Sequence, residues 1–209
     1  MDKISLKTRG RFIITLFALY ICGQLYAQEF NAGLFGGVTA SQVDGDFYKG
    51  FNKLGLTAGA FVNREIDYNI YWQLEIKYVS RGAYKGSDPN DPLIFKAVYR
   101  YAEIPLSVHY LYADRIQAEI GISPDILLNY ASYENNIRTD PALDPENHRF
   151  GMNAFAGIYY WFTQAAGVGF RYTYSVITFR DLDEWHNFLY RGYFHNVLCL
   201  TVAYKFRHP

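Results

Sequence analysis

Residues 30–41 read FNAGLFGGVTAS, and their even and odd positions differ in chemistry. The even positions run Phe, Ala, Leu, Gly, Val, Ala, whereas the odd positions run Asn, Gly, Phe, Gly, Thr, Ser. Because neighbouring side chains of a β-strand point to opposite faces, this period of two predicts a strand with one apolar face and one small or polar face.

The same alternation recurs seven more times along the chain. The further stretches are 54–63, 70–81, 102–110, 116–122, 152–162, 166–176 and 198–206. In none of them does the apolar set contain Asp, Glu, Lys or Arg. The opposite set holds Glu75, Lys77, Glu103, Glu119, Arg171 and Lys205. The pattern therefore predicts eight strands that share one apolar surface.

The connections between these stretches alternate between long and short. In order they are residues 42–51, 64–69, 82–95, 111–115, 131–149, 163–165 and 178–191, beginning with a long one. Outer-membrane barrels have tight turns on the periplasmic side and longer loops outside. The chain is therefore predicted to be an all-β protein, an eight-stranded antiparallel up-and-down transmembrane β-barrel with both termini in the periplasm.

The first residues have the order of a targeting signal. Four basic residues precede an apolar stretch at 12–22, and Ala27 supplies the small residue before a cleavage site. We expect residues 1–27 to be a cleaved signal peptide and residues 28–209 to form one barrel domain; a short amino-terminal helix packed on a domain is the alternative. The mature part keeps only Cys199, which excludes an intrachain disulfide.

Composition restricts the possible classes of protein. Charged residues make up 19% of the chain, below the roughly 25% usual in soluble domains. Beyond the first thirty residues no apolar run approaches the roughly 18 residues of a spanning helix, which excludes a helical membrane protein. Removing residues 1–27 takes four of the 20 basic and one of the 20 acidic residues and leaves a net charge of −3, so no nucleic-acid partner is expected.

Alternation alone does not decide which face is outside, and a soluble ligand carrier of the lipocalin type is the competing barrel. The polar set is mostly Gly, Thr, Ser and Asn, which suits a narrow lumen better than a surface in water. Aromatic residues also gather at both strand ends, as in interfacial girdles. They are Tyr71, Trp72, Tyr110, Tyr160, Phe162, Tyr204 and Phe206 at one end and Tyr78, Tyr99, Tyr130, Tyr172, Tyr174 and Phe194 at the other.

Pro105 and Pro124 lie inside predicted strands, where each removes a hydrogen-bond donor from the ladder. We expect a local β-bulge at each of them.

Three segments carry a family resemblance. The first hairpin GLFGGVTASQVDGDFYKGFNKLGLTAGAFV (33–62), the strand YAEIPLSVHY (101–110) and the closing VAYKF (202–206) resemble the PorT-type outer-membrane β-barrel proteins of the Bacteroidota, a porin-like barrel family. The resemblance covers essentially the whole mature chain, and Glu-Ile-Pro-Leu at 103–106 is its most distinctive part. It implies an outer-membrane barrel and a role associated with secretion, and it offers no catalytic motif.

Ser107 and His109, with Glu103 nearby, share one strand face and could serve as nucleophile, base and orienting group of a lipid-modifying enzyme. Residues two apart on a strand are separated by about 6.6 Å, so direct contact is expected to need a bend. By parity all three residues point into the lumen, away from lipid. A hydrogen-bond network in the lumen is the preferred interpretation, and no catalytic residue is assigned.

Glu75, Lys77, Glu103, Glu119 and Arg171 should meet in the lumen, as an ion or proton path or as a plug of salt bridges. An eight-stranded barrel has room only for its own side chains, which favours the plug.

Other polar groups predict no metal or cofactor. The histidines (His109, His148, His186, His195 and His208) lack metal-ligand spacing, and the loop carboxylates (Asp44, Asp46, Asp140, Asp144 and Glu146) lack EF-hand order. Loop aromatics (Phe47, Tyr48, Trp185 and Tyr190) could bind a partner or cover the barrel mouth.

The sequence predicts a non-enzymatic outer-membrane barrel that contacts outer-membrane lipids and binds envelope or secretion proteins. A lipid-modifying enzyme using Ser107 and His109, and a narrow solute channel, are the alternatives.

Overall fold

The structure is a computed structural model, and it describes residues 30–46, 50–89, 91–139, 147–181 and 192–206. The predicted signal peptide (1–27) lies outside these residues and stays a prediction. Among the described residues, no helix is long and apolar enough to cross a bilayer.

The described residues form eleven strands. They are β1 (Asn31–Asp44), β2 (Lys53–Asp67), β3 (Ile70–Lys85), β4 (Phe95–Glu103), β5 (Leu106–Tyr112), β6 (Ile116–Glu134), β7 (Ile137–Arg138), β8 (Phe150–Trp161), β9 (Ala166–Ser175), β10 (Arg180–Asp181) and β11 (Gly192–Lys205). Strands β4 and β5 are two halves of one barrel strand, because both pair with β3 and β6. Strands β7 and β10 are two-residue additions. The predicted barrel of eight antiparallel strands is confirmed.

Pairing of β1 with β11 closes the sheet into a ring. The stagger of the ring follows from the register. Paired residues lead around it in the order Ala32, Val62, Leu74, Leu106, Ile122, Ala154, Tyr174, Asn196 and Gln42. One circuit therefore returns to β1 ten residues beyond its start. A shear of this kind tilts the strands by roughly 35–45° and leaves no sheet edge around the waist of the barrel.

The predicted faces are confirmed. Even-numbered apolar side chains point outward, and Leu54 and Ile76 are 74% and 72% exposed. Odd-numbered polar side chains such as Glu75 and Arg171 point inward and are buried. Exposed apolar surface of this extent is costly in water and favourable against lipid.

Three connections at one end of the barrel, the turn end, have two, three and four residues. Asn69, Ala113 and Asp114 adopt positive φ angles there, as tight turns require. The other end, the loop end, carries the long connections. Several strands exceed their predicted lengths: β2 continues to Asp67, β3 to Lys85 and β6 to Glu134, while β4 begins at Phe95 and β11 at Gly192.

The prediction of a bulge at each proline was wrong. At Pro105 the strand is interrupted between β4 and β5, and the Pro105 carbonyl still accepts a hydrogen bond from the Glu75 N–H (2.9 Å). Pro124 lies within β6 without a register shift, and its carbonyl accepts from the Ile104 N–H (3.0 Å). The N–H that Pro124 lacks would therefore have pointed towards the interruption between β4 and β5. The register shifts lie elsewhere: one at Leu128, between the pairs Arg100–Asn129 and Tyr101–Leu127, and one at Ile66, between the pairs Glu65–Tyr71 and Asp67–Ile70.

The predicted aromatic girdle was also wrong in part, at Tyr99 and at Tyr130, which pairs with it. Tyr99 is buried inside the loop end, where its ring packs against Tyr130 with centroids 4.6 Å apart. Its odd number places it on the lumen face.

Candidate functional site

Seven buried charged side chains fill the middle of the barrel. They are Glu75, Lys77, Arg81, Glu103, Glu119, Asp125 and Arg171, each at most 4% exposed. Five of them were predicted to meet in the lumen. Arg81, the last residue of the predicted stretch 70–81, was not assigned to this group, and Asp125 was missed because the fifth alternating stretch ended at residue 122. The polar face continues past Pro124 at odd-numbered positions, and this pattern could have identified Asp125.

Arg171 on β9 organises the cluster nearer the turn end. Its guanidinium donates to both carboxylate oxygens of Glu75 (Nη1–Oε2 2.9 Å, Nη2–Oε1 2.6 Å) and to both of Glu119 (Nε–Oε1 2.6 Å, Nη2–Oε2 2.8 Å). Its carbon Cζ also lies 4.3 Å from the centroid of the Phe155 ring. A planar guanidinium is suited to bridging two carboxylates in this way.

Amide side chains extend this cluster towards the turn end. The Gln73 amide donates to Glu75 (Nε2–Oε1 2.8 Å) and accepts from the Asn63 amide (Nδ2–Oε1 3.1 Å). Buried carboxylates need such partners, because an unpaired polar group in a low-dielectric interior costs several kcal/mol.

Arg81 on β3 organises a second cluster nearer the loop end. Its Nη1 lies 3.1 Å from Glu103 Oε1 and 3.2 Å from Asn153 Oδ1, and its Nη2 lies 2.5 Å from Asp125 Oδ2. Lys77 Nζ is 2.5 Å from Glu103 Oε2. The Tyr101 ring covers the guanidinium at 3.9 Å. The two clusters together form a column of paired charges along the lumen.

Ser107 and His109 make the direct contact that strand spacing alone did not predict. Ser107 Oγ and His109 Nε2 are 2.8 Å apart, although β5 keeps a regular register with β3 and β6. Glu103 is engaged by Lys77 and Arg81, so it does not orient the imidazole. The carboxylate near His109 is Glu119, whose Oε2 lies 3.6 Å from Nε2.

A hydrolytic triad needs the serine on one imidazole nitrogen and the carboxylate on the other. Here Ser107 and Glu119 both approach Nε2, while Nδ1 of His109 has no hydrogen-bond partner among the described residues. Ser107 and His109 are also 2% and 1% exposed. The arrangement suits a structural hydrogen bond better than a nucleophile that must reach lipid.

Aromatic side chains fill the lumen at the turn end. Phe35, Phe61, Tyr159 and Trp161 pack with Ala203, and Trp161 Nε1 donates to Gln117 Oε1 (2.7 Å). Lys205 Nζ lies 3.7 Å from the centroid of the Trp161 ring. This layer separates the charged column from the turn end.

The loop end is covered by the barrel's own strands. Above Val79, strand β3 is no longer paired with β2, and the Ser80 carbonyl accepts a hydrogen bond from the Thr39 hydroxyl (2.7 Å). Ser41 Oγ is 2.9 Å from the Gly82 nitrogen and 3.1 Å from the Gly82 oxygen. Because Thr39 and Ser41 belong to β1, the upper part of β3 passes on the lumen side of β2 and crosses the open end of the barrel.

The lumen side of this crossing is packed with aromatic rings around His195. Phe179 stacks on the imidazole with centroids 3.9 Å apart, and the Tyr101 hydroxyl is 3.1 Å from His195 Nε2. Tyr99 contacts the same ring edge-on. The loop end is therefore closed by a second aromatic layer.

Among the described residues, the space between these layers is largely filled by side chains. Two cavities of about 10 Å³ each lie beside Tyr159, one bordered by His109 and Gln117 and the other by Lys77 and Arg171. Each has room for about one water molecule. Among the described residues, no group of three or more His, Cys, Asp and Glu side chains could hold a metal ion.

The remaining candidates are dispersed. His148 at the loop end lies 3.2 Å from Asp181 (Nε2–Oδ2), and His195 is in the lumen. His186, His208, Asp140, Asp144, Glu146 and the loop aromatics Phe47, Tyr48, Trp185 and Tyr190 lie outside the described residues.

Comparisons with known proteins agree on a barrel. The family model for the outer membrane protein beta-barrel domain matches residues 26–180. Among curated proteins, no match was found.

Three solved structures are similar to the chain. The attachment invasion locus protein Ail of Yersinia pestis is 14% identical over 85% of this chain and 99% of its own, with a TM-score of 0.47. Neisserial surface protein A is 11% identical over 85% and 97%, with a TM-score of 0.46. OprG of Pseudomonas aeruginosa is 13% identical over 87% and 98%, with a TM-score of 0.40.

Proposed function

This chain belongs to the outer membrane protein beta-barrel domain family, and from that membership we propose that it is a sealed, non-enzymatic barrel that acts by binding partners. It is an integral outer-membrane β-barrel protein. We assign it an accessory role in protein secretion or envelope assembly, with the loop end outside the cell and both termini in the periplasm.

The observation that carries the proposal is the filled lumen. Arg171 and Arg81 each bridge two carboxylates across it, and aromatic layers lie at both ends of this column. Moving a solute through would require breaking buried pairs, at about 3–5 kcal/mol for each charge left without a partner. The outer surfaces and the loops are then the parts through which the protein acts.

The secretion role is supported by the predicted signal peptide and by the resemblance to PorT-type proteins. A clean deletion strain tests it, with the gene restored in a complemented strain. We expect reduced export of secreted proteins or an altered envelope, reversed by complementation. Normal export together with an unchanged envelope would overturn the accessory role.

The sealed lumen is tested separately in planar bilayers. Purified protein should give no single-channel steps, while a general porin in the same preparation supplies the positive control. Reproducible conductance steps that scale with the amount of protein would favour a narrow channel instead.

The contact between Ser107 and His109 favours one second candidate, a lipid-modifying enzyme. Burial of both residues and the shared nitrogen Nε2 support a structural role instead. Mass spectrometry of lipid A from a His109→Ala strain separates the two. An altered lipid A profile in that strain, with normal levels of folded protein, would support the enzyme.

A further inference from the structure

The outward face of the barrel changes from apolar to basic near the loop end. Tyr78, Ala102 and Ile126 form one row across β3, β4 and β6, in which the side chains are apolar or aromatic. The next row, about 6.6 Å further along the strands, is Ser80, Arg100 and Asn129. Ser80 is buried behind β2, whereas Arg100 and Asn129 keep exposed surface. Lys96 lies further along the same face of β4, beyond the buried Val98.

Arg100 is held in place within this face. Its Nη1 donates to Asn129 Oδ1 at 2.7 Å, and the side chain keeps partial exposure. The exposed Lys96 ammonium lies 5.9 Å from the centroid of the Tyr133 ring. Both cations are thus positioned just beyond the apolar band, at the height where lipid headgroups meet the protein.

A third cation lies at the same end of the barrel. Lys53, the first residue of β2, is 5% exposed, and its ammonium donates to the Leu54 carbonyl (2.6 Å). Lys96 and Arg100 are the charged groups that act on it. No ion pair with a carboxylate occurs for any of the three cations among the described residues.

Among the described residues these like charges have no counter-charge, so they repel one another. Lys96 and Arg100 are open to the exterior, whereas Lys53 is nearly buried. By contrast, Lys85 at the same end of the barrel pairs with Asp91 at 2.7 Å. An arginine held next to an amide, with a lysine four residues away on the same face of the strand, offers suitable donors for a phosphate group.

We propose that Lys53, Lys96 and Arg100 form a binding site for a phosphate group of the outer-leaflet glycolipid. The site rests on the proposed function only in needing the loop end outside the cell. A lipid phosphate is favoured over free phosphate because the row beneath Arg100 is apolar and can contact the acyl chains of the same molecule. The bound lipid would seal the barrel wall above Tyr78 and fix the barrel's depth in the membrane.

Native mass spectrometry of the folded full-length protein tests the site, with lipid A carrying or lacking its phosphates as the probe. The wild type should retain phosphorylated lipid A about 10-fold more strongly than dephosphorylated lipid A, which corresponds to about 1.4 kcal/mol. The Lys96→Gln/Arg100→Gln variant should lose this preference. The matched control, Lys85→Gln, removes a cation from the same end and should keep it.

Heat-modifiability gels establish that each variant is folded before binding is measured. Equal retention of the two lipids by the wild type, or an unchanged preference in the Lys96→Gln/Arg100→Gln variant, would overturn the site. Displacement of the lipid by inorganic phosphate alone would assign the site to free phosphate and overturn the lipid. Neither result bears on conductance or export, which test the proposed function.

Discussion

Ser41 and Gly82 are hydrogen-bonded to each other although β2 lies between their strands in the sheet. The Gly82 N–H donates to Ser41 Oγ (2.9 Å), and the Ser41 hydroxyl is within reach of the Gly82 carbonyl (3.1 Å) and the Lys53 carbonyl (3.3 Å). One buried hydroxyl thereby ties the upper part of β3 to β1. The upper part of β3, a strand of the barrel wall, therefore covers the loop end.

Ser41→Ala should loosen that cover. The substitution leaves the buried Gly82 N–H without an acceptor, which costs about 1–3 kcal/mol. Hydrogen exchange in lipid nanodiscs should show the Gly82 amide exchanging at least about 10-fold faster, with amides at the turn end unchanged. Ser87→Ala, in an exposed loop, is the control. Unchanged exchange at Gly82 would show that the hydrogen bond from Gly82 to Ser41 does not stabilise the loop end.

Gly55→Ala should destabilise the barrel where β3 passes behind β2. A Cβ at Gly55 would contact the Ser80 carbonyl oxygen and lie 2.6 Å from Thr39 Oγ1, so β3 must shift. Overpacking of this kind costs about 1–3 kcal/mol. At Gly36, also within a strand, the Thr57 oxygen is 3.9 Å from the corresponding position. Denaturant unfolding in lipid should therefore give a lower midpoint for Gly55→Ala than for Gly36→Ala. Equal midpoints would contradict the close passage of β3 behind β2.

The faces of the barrel could be predicted from the sequence because a period of two determines which side chains share a surface. Glu75 and Arg171 were assigned to the lumen on that basis alone. Their pairing could not be predicted, since they are 96 residues apart and meet through the ten-residue stagger of the ring. Register between distant strands depends on closure, which no local pattern encodes.

The crossing at the loop end was hidden for a different reason. Ser41 and Gly82 belong to strands that are not neighbours in an up-and-down barrel, so neighbour rules never bring them together. The position of Asp125 was missed because the alternating stretch 116–122 ended two residues before Pro124. A proline is tolerated there, because the neighbouring strand is interrupted at Pro105.

The exposed loop between β3 and β4 should show a measurable pH effect. A hydrogen bond from Lys85 (Nζ–Oδ2 2.7 Å) and one from the Leu93 N–H (3.1 Å) lower the pKa of Asp91 below its ordinary value of 3.8. A lowered carboxyl pKa stabilises the loop above pH 3.8, and this contribution is lost as the pH falls through the folded-state value. NMR titration should place Asp91 below 3.8 in the wild type and higher in Lys85→Met; the same value in both would exclude the ion pair as the cause.

Arg171→Met should be among the most damaging single substitutions in the lumen. It leaves Glu75 and Glu119 buried without their shared cation, at about 3–5 kcal/mol in the free energy of unfolding. Adding Glu75→Gln and Glu119→Gln removes both orphaned charges, so the triple variant should recover most of that loss. Lys85→Met breaks an exposed pair and should cost at most about 1 kcal/mol. Denaturant unfolding in lipid vesicles, followed by tryptophan fluorescence, compares the variants. A triple variant no more stable than Arg171→Met would mean that the guanidinium stabilises the barrel through packing against Phe155 rather than through charge.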